Sequence, residues 1–199
     1  MSNQGRPVRR FTQDDVLVVA ATAHELGPAD GWRTLACGVG PVEAAAATAA
    51  AIAERPPRAI LHVGIAGSRH RPVLAPPALV IGSESVYCDV DTTNRWAPRS
   101  VAPSVLLLDA AQRVLPHALV LAIGTSARVG GTSGCDVEAM EGFAVLRAAQ
   151  LAGIPAIEVR AIANEIAEPD RARWHFDEAF AAIVAATPAL VQEFARCVS

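Results

Sequence analysis

The stretch VLVVAATAHEL at residues 16–26 decides the fold. Its first six residues form a continuous apolar run rich in β-branched side chains. Such a run marks a strand buried on both faces, which calls for a sheet sandwiched between helices. The rest of the chain supplies those layers. Residues 34–37 make a short second strand ending at Gly38-Val39-Gly40. Pro41 follows at a first helical position, where a missing N–H costs nothing, and residues 42–54 are helical by composition until Pro56-Pro57. Residues 59–63 form a third strand ending at Gly64-Ile65-Ala66-Gly67, and residues 78–86 a fourth. A polar loop is expected over 88–103, then a helix over 104–114 with Ser104 as its cap, and a fifth strand over 119–123. Residues 130–134 read as a glycine-rich loop. Residues 137–152 read as a helix closed by Gly153, residues 156–162 as a sixth strand, and residues 176–197 as one or two closing helices. Strands alternating with helices predict an α/β fold, a single-domain layered sandwich with a central, mostly parallel mixed β-sheet flanked by helices. That domain is expected over 13–199, behind a flexible polar tail at 1–12.

Bulk properties narrow the function. With 199 residues, 52% of them apolar, the chain is long enough for one domain with a sizeable core. A net charge of −3 gives no basic footprint for nucleic acid. The apolar run at 16–23 is shorter than the roughly 20 residues that span a bilayer, so no membrane partner is expected. Cys37, Cys88, Cys135 and Cys197 contain no C-x-x-C pair. They read as reduced, mostly buried thiols of a cytoplasmic protein. No ligand cluster implies a metal or an organic cofactor.

Several residues at predicted strand ends carry chemistry. In open α/β sheets, ligands gather at the carboxyl ends of strands. Glycines at 38, 40 and 64–67 let a ligand or a backbone approach closely, though none fits a P-loop or G-x-G-x-x-G pattern. Glu25 follows the first strand and is placed either to deprotonate a water or to serve as a first-turn helix carboxylate. Glu141 lies near the start of an otherwise apolar helix and is suited to a sugar diol, and Glu138 three residues earlier shares its helix face. Asn164, after the sixth strand, offers a donor and an acceptor suited to a purine edge, or else forms a turn. Asp170, Arg171, Arg173 and Trp174 either cover a site or start a solvated helix. Trp96 either meets a neighbouring subunit or anchors its loop in the interior.

Five segments in order are more specific than any one alone: VLVVAATAHEL (16–26), CGVGPVEAAAAT (37–48), HVGIAGS (62–68), VEAMEGFAV (137–145) and VRAIAN (159–164). In order and spacing the chain resembles the purine nucleoside phosphorylase/nucleosidase family over almost its whole length. Within it, Met140–Ala144, the stretch 148–155, Arg160–Asn164 and residues 168–174 are most similar to the futalosine-cleaving hydrolases of menaquinone biosynthesis. The resemblance implies cleavage of the N-glycosidic bond of futalosine with release of hypoxanthine, in a homo-oligomer that is expected to be a dimer. It implies that Glu25 activates water and that Met140 and Glu141 flank the ribose. It also implies that Gly64, Ile65, Ala66 and Gly67 lie beside ribose and nucleophile, and that Asn164 contacts the leaving base. Adenine-releasing relatives carry an aspartate at the last position. An asparagine cannot give up a proton at neutral pH but can donate to O6 or N7 of a 6-oxopurine, which favours hypoxanthine. Ile65 stands where the family often has a hydroxyl, which favours water over phosphate, while Arg69 and Arg71 keep a phosphate contact open. The rival readings are a methylthioadenosine/S-adenosylhomocysteine nucleosidase, a purine nucleoside phosphorylase, and a nucleoside-binding protein without turnover.

Overall fold

The computed structural model describes residues 12–69, 71–91, 96–130 and 134–198. The tail expected at 1–12 lies almost wholly outside them, as does the middle of the glycine-rich loop at 130–134. β1 (Val16–Ala20) is buried at every position, as its apolar run requires. The chain continues through α1 (Ala23–Leu26), β2 (Arg33–Ala36), α2 (Pro41–Glu54), β3 (Ala59–Ser68) and β4 (Leu79–Tyr87). It then adds β5 (Ser100–Val101), α3 (Val105–Val114), β6 (Leu119–Thr125), β7 (Val137–Ala139), α4 (Gly142–Leu151), β8 (Ala156–Glu165) and α5 (Phe176–Cys197).

The eight strands make one mixed sheet flanked by helices, as the sequence predicts. β2, β1, β3 and β8 run parallel in that order. β4, β6 and β7 form a second parallel set. The sets meet antiparallel twice, at β3·β7 and at β4·β8, so β3, β7, β6, β4 and β8 close a ring. Ala66, Leu74, Val80, Ile123, Val137, Ala139 and Ile162 fill its interior. α2 and α4 cover one face through Ala44, Ile52, Val145 and Leu146. α3 and α5 cover the other through Leu107, Ile183, Leu190 and Phe194. α5 is a single helix, long and apolar enough by length and composition to cross a membrane, but its apolar side lies against the sheet.

Three expectations change. The helix expected over 137–152 starts only at Gly142. Residues Val137–Ala139 are a strand because β3 and β6 each supply a pairing edge, and that outweighs local helix propensity. β3 and β8 extend past their expected ends, so Gly64–Gly67 and Asn164 lie within strands rather than in turns. A short strand, β5, emerges from the expected loop at 88–103 and pairs with β4. Ser104 takes the cap position of α3 without donating or accepting a side-chain cap bond. Gly153 has the positive φ expected of a residue that ends a helix. Trp96 is 80% exposed, which rules out the interior anchor. All four cysteines are reduced thiols, but only Cys37 is fully buried.

Candidate functional site

A cleft of about 250 Å³ opens at the carboxyl ends of β1, β3 and β8. Several parts of the fold reach it. Thr22 and Glu25 arrive from α1, Ile65 and Gly67 from β3, Glu138 and Ala139 from β7, Met140 and Glu141 from the turn before α4, and Asn164 from β8. Trp174, Phe176 and Phe180 close one side.

Glu25 is buried because its carboxylate is claimed three times. One oxygen accepts from the Thr22 N–H and the Thr22 hydroxyl, both at 2.9 Å, which closes a capping box on the short helix α1. The other accepts from the Ile65 N–H at 3.2 Å. The helix-cap role and the cleft-lining role are therefore held by one side chain. Glu141 caps nothing at its own helix. Its Oε1 accepts from the Gly40 N–H at 3.0 Å, across the space between α2 and α4. Gly40 presents that N–H from a backbone with φ 93°, a conformation other residues rarely adopt. The N–H of Phe143, in the first turn of α4, is satisfied instead by the Thr125 hydroxyl at 2.8 Å. Glu141 is thus available to the cleft.

Arg160 organises the floor. It is only 1% exposed. Its Nε donates to Glu158 at 2.8 Å, its Nη2 reaches Glu141 at 3.4 Å, and its Nη1 reaches the Ile65 carbonyl at 3.4 Å. Nη2 also meets Nε2 of His62, whose Nδ1 lies 3.0 Å from the Val19 carbonyl. A carbonyl only accepts and a guanidinium only donates, so Nδ1 carries the proton and the ring is neutral. Burial first, and the adjacent guanidinium second, hold the His62 pKa well below its ordinary value. The Ser85 hydroxyl donates to the other oxygen of Glu158. Three carboxylates, Glu25, Glu141 and Glu158, therefore surround one guanidinium. Burial raises the Glu141 pKa, and Arg160 and the Gly40 N–H offset part of that rise. Burial, followed by Glu141, pushes the Cys37 thiol up to about 12.

Gly64 has no room for a side chain. A Cβ there would sit 2.2 Å from Arg160 Nη1 and 2.8 Å from Glu25 Oε1. Gly67 lies beside Asn164, whose Nδ2 donates to the Glu165 carbonyl at 2.8 Å. Hence Glu25, Ile65, Ala66, Gly67, Met140, Glu141 and Asn164 converge on one cleft, and Gly64 shapes its floor.

Other expectations do not survive. Glu138 and Glu141 share no helix face, since Glu138 belongs to β7. Arg69 donates to the Cys135 carbonyl and Arg71 pairs with Asp136, and neither lines the cleft. Of the charged segment after β8, Trp174 reaches the cleft, while Arg173 pairs with Glu168 on the surface. Sequence reasoning assigned no role to Arg160, His62 or Glu158, although each is a polar residue inside an apolar strand. It also overlooked Phe176 and Phe180, although the 174–180 stretch holds three of the nine aromatic residues of a chain poor in them.

Comparison with known proteins agrees with this architecture. The futalosine hydrolase of Streptomyces coelicolor is 34% identical, over 81% of this chain and 78% of that protein. The futalosine hydrolase of Helicobacter pylori superimposes with a TM-score of 0.79 at 16% identity, over 89% of this chain and 97% of that one. The S-adenosylhomocysteine nucleosidase of Streptococcus pyogenes does so with a TM-score of 0.76 at 21% identity, over 91% and 96%. At such identities the structures speak for the fold alone. A family model described as the phosphorylase superfamily matches residues 33–196, most of the chain, and with the sequence relative it shows that this chain belongs to the phosphorylase superfamily.

Proposed function

We propose that this chain hydrolyses the N-glycosidic bond of futalosine and releases hypoxanthine. The observation that carries the reading is the meeting of Glu25 and Glu141 about one buried arginine, with Asn164 further along the same cleft. The Streptomyces coelicolor relative supports the choice of substrate.

The site's electrostatics suit a dissociative cleavage. As the bond between C1′ and the base lengthens, positive charge grows on the ribose and negative charge on the purine. The buried carboxylates outnumber the guanidinium beside them, so the field at the sugar favours the cation, and preorganised charge of this kind needs no rearrangement as the reaction proceeds. Glu25 takes the proton of the attacking water at C1′. Glu141 accepts from the ribose hydroxyls, with Met140 beside the sugar, and the Gly64–Gly67 strand backs it. Asn164 donates to the departing base, and the aromatic wall offers it a stacking surface. Engagement of Arg69 and Arg71 elsewhere supports water rather than phosphate as the nucleophile. The chain acts as a homodimer through the exposed apolar face of α2 and α4, where Val42 is 76% and Leu151 72% exposed.

The test compares base release from futalosine, inosine, methylthioadenosine and S-adenosylhomocysteine, with and without phosphate. Hypoxanthine from futalosine without phosphate is expected. Phosphate dependence, or release of adenine alone, would overturn the reading.

A further inference from the structure

Glu138 is a buried carboxylate in the cleft wall that has no part in the sugar chemistry above. Its position follows from strand register. Gly67 of β3 is the partner of Glu138 on β7 and of Asn164 on β8. Residues directly opposite in adjacent strands present their side chains to the same face. A bulge that leaves Ala163 unpaired breaks the simple alternation on β8, but a Cβ built on Gly67 points at the Asn164 amide and all three residues line the cleft, so they form one row: a carboxylate, a position without a side chain, and a carboxamide. Val137, next to Glu138, turns the other way into the ring interior. A Cβ on Gly67 would lie 3.1 Å from Asn164 Nδ2, so a side chain in the middle of the row would crowd the amide. At roughly 4.8 Å per strand, the outer backbones stand on the order of 10 Å apart. A planar base laid over the glycine would turn one edge towards each side chain.

The two side chains differ in what they can read. A carboxylate only accepts, whereas a carboxamide both donates and accepts. One N–H of Asn164 is tied to the Glu165 carbonyl, which fixes the amide and leaves its second N–H to donate to a ligand. A 6-oxopurine carries a donor at N1 and acceptors at O6 and N7. A 6-aminopurine carries an acceptor at N1, which would face the carboxylate lone pairs. Resting on the reading of the cleft as a base-releasing site, we infer that Glu138 is its second base-recognising residue. Its carboxylate accepts from N1–H of a 6-oxopurine while Asn164 donates at O6 or N7. Glu138 selects the oxo base over the amino base by repulsion as well as attraction.

The test measures kcat/KM of the wild type and Glu138→Gln on futalosine and on its 6-amino congener, which differ only in the base edge. Free hypoxanthine and 1-methylhypoxanthine are compared as inhibitors of the wild type. Loss of a hydrogen bond to a charged group predicts that Glu138→Gln loses about ten- to a hundredfold on futalosine. It loses less, or gains, on the amino congener, because the glutamine amide can donate to N1. The preference for futalosine then narrows by at least about tenfold, and 1-methylhypoxanthine inhibits at least about tenfold less well than hypoxanthine. A purely structural role would lower both substrates alike and leave the preference unchanged, which would overturn the assignment. Should Glu138→Gln fail to fold, the two inhibitors decide alone, and equal inhibition overturns it. Wild-type protein that releases adenine but no hypoxanthine sinks both this assignment and the proposed substrate. Hypoxanthine release with indifference to N1 methylation sinks the Glu138 assignment only.

Discussion

Glu141 combines burial, an arginine at 3.4 Å and a backbone N–H at 3.0 Å, and burial dominates its titration. Because its folded pKa is raised above the ordinary 4.5, the folded chain keeps a proton that the unfolded chain has released. Its contribution to stability is complete below about pH 4.5 and is lost as pH rises through the folded value. Glu141→Gln removes that dependence, so denaturation from pH 4.5 upward should show the variant gaining on the wild type as pH rises. Its turnover should move the other way. A lost charge-assisted hydrogen bond of about 1.5–3 kcal/mol predicts a fall in kcat/KM of about one to two decades, with the wild-type acid limb displaced above the ordinary glutamate range. Arg160→Lys keeps the charge but not the fork that spans Glu158, Glu141 and the Ile65 carbonyl. It should fold, and base release should drop by at least about tenfold if the lost fork costs one charged bond. Glu25, Glu141 and Asn164 are legible in the sequence because each stands in a recognisable segment near a strand end. Arg160, His62 and Glu158 are visible there only as polar residues in apolar strands. Their roles depend on side chains nearly a hundred residues apart, which no local pattern encodes.

At the scale of elements, β3 and β7 carry the cleft. Gly64→Ala places a methyl against Arg160 and Glu25 at distances no Cβ tolerates. Overpacking of this kind costs about 1–3 kcal/mol, so a lowered denaturation midpoint is expected. Base release should fall further than that loss of stability alone explains, because the displaced groups are Glu25, the proposed base, and the guanidinium that reaches Glu141. Most of the element order was legible from the β-branched runs, the proline stops and the closing Gly153. The 137–152 segment was not. Val137-Glu138-Ala139 is too short to show alternation, and only the edges of β3 and β6 make it a strand. The extensions of β3 and β8 were hidden for a related reason, since glycine and asparagine read locally as turn residues while here they pair with each other.

At the scale of the molecule, alternation of strand and helix implies a mostly parallel mixed sheet flanked by helices, and the structure has both. Closure of β3, β7, β6, β4 and β8 into a ring is long-range pairing beyond the reach of periodicity. That closure lays Glu138, Gly67 and Asn164 side by side. The apolar face of α2 and α4 belongs to the same scale. Light scattering on the eluting protein should give twice the chain mass, and Val42→Glu with Leu151→Glu should give one chain mass. A monomeric wild type would remove the proposed dimer. Glu25 is the residue proposed to activate water against futalosine. The direct measurement is hypoxanthine release from futalosine in phosphate-free buffer by the wild type and by Glu25→Gln, with folding of the variant verified by circular dichroism. Steady release by the wild type and a loss of more than about a hundredfold in the folded variant is the predicted result, beyond what one charged hydrogen bond supplies. Release by Glu25→Gln at the wild-type rate would contradict it.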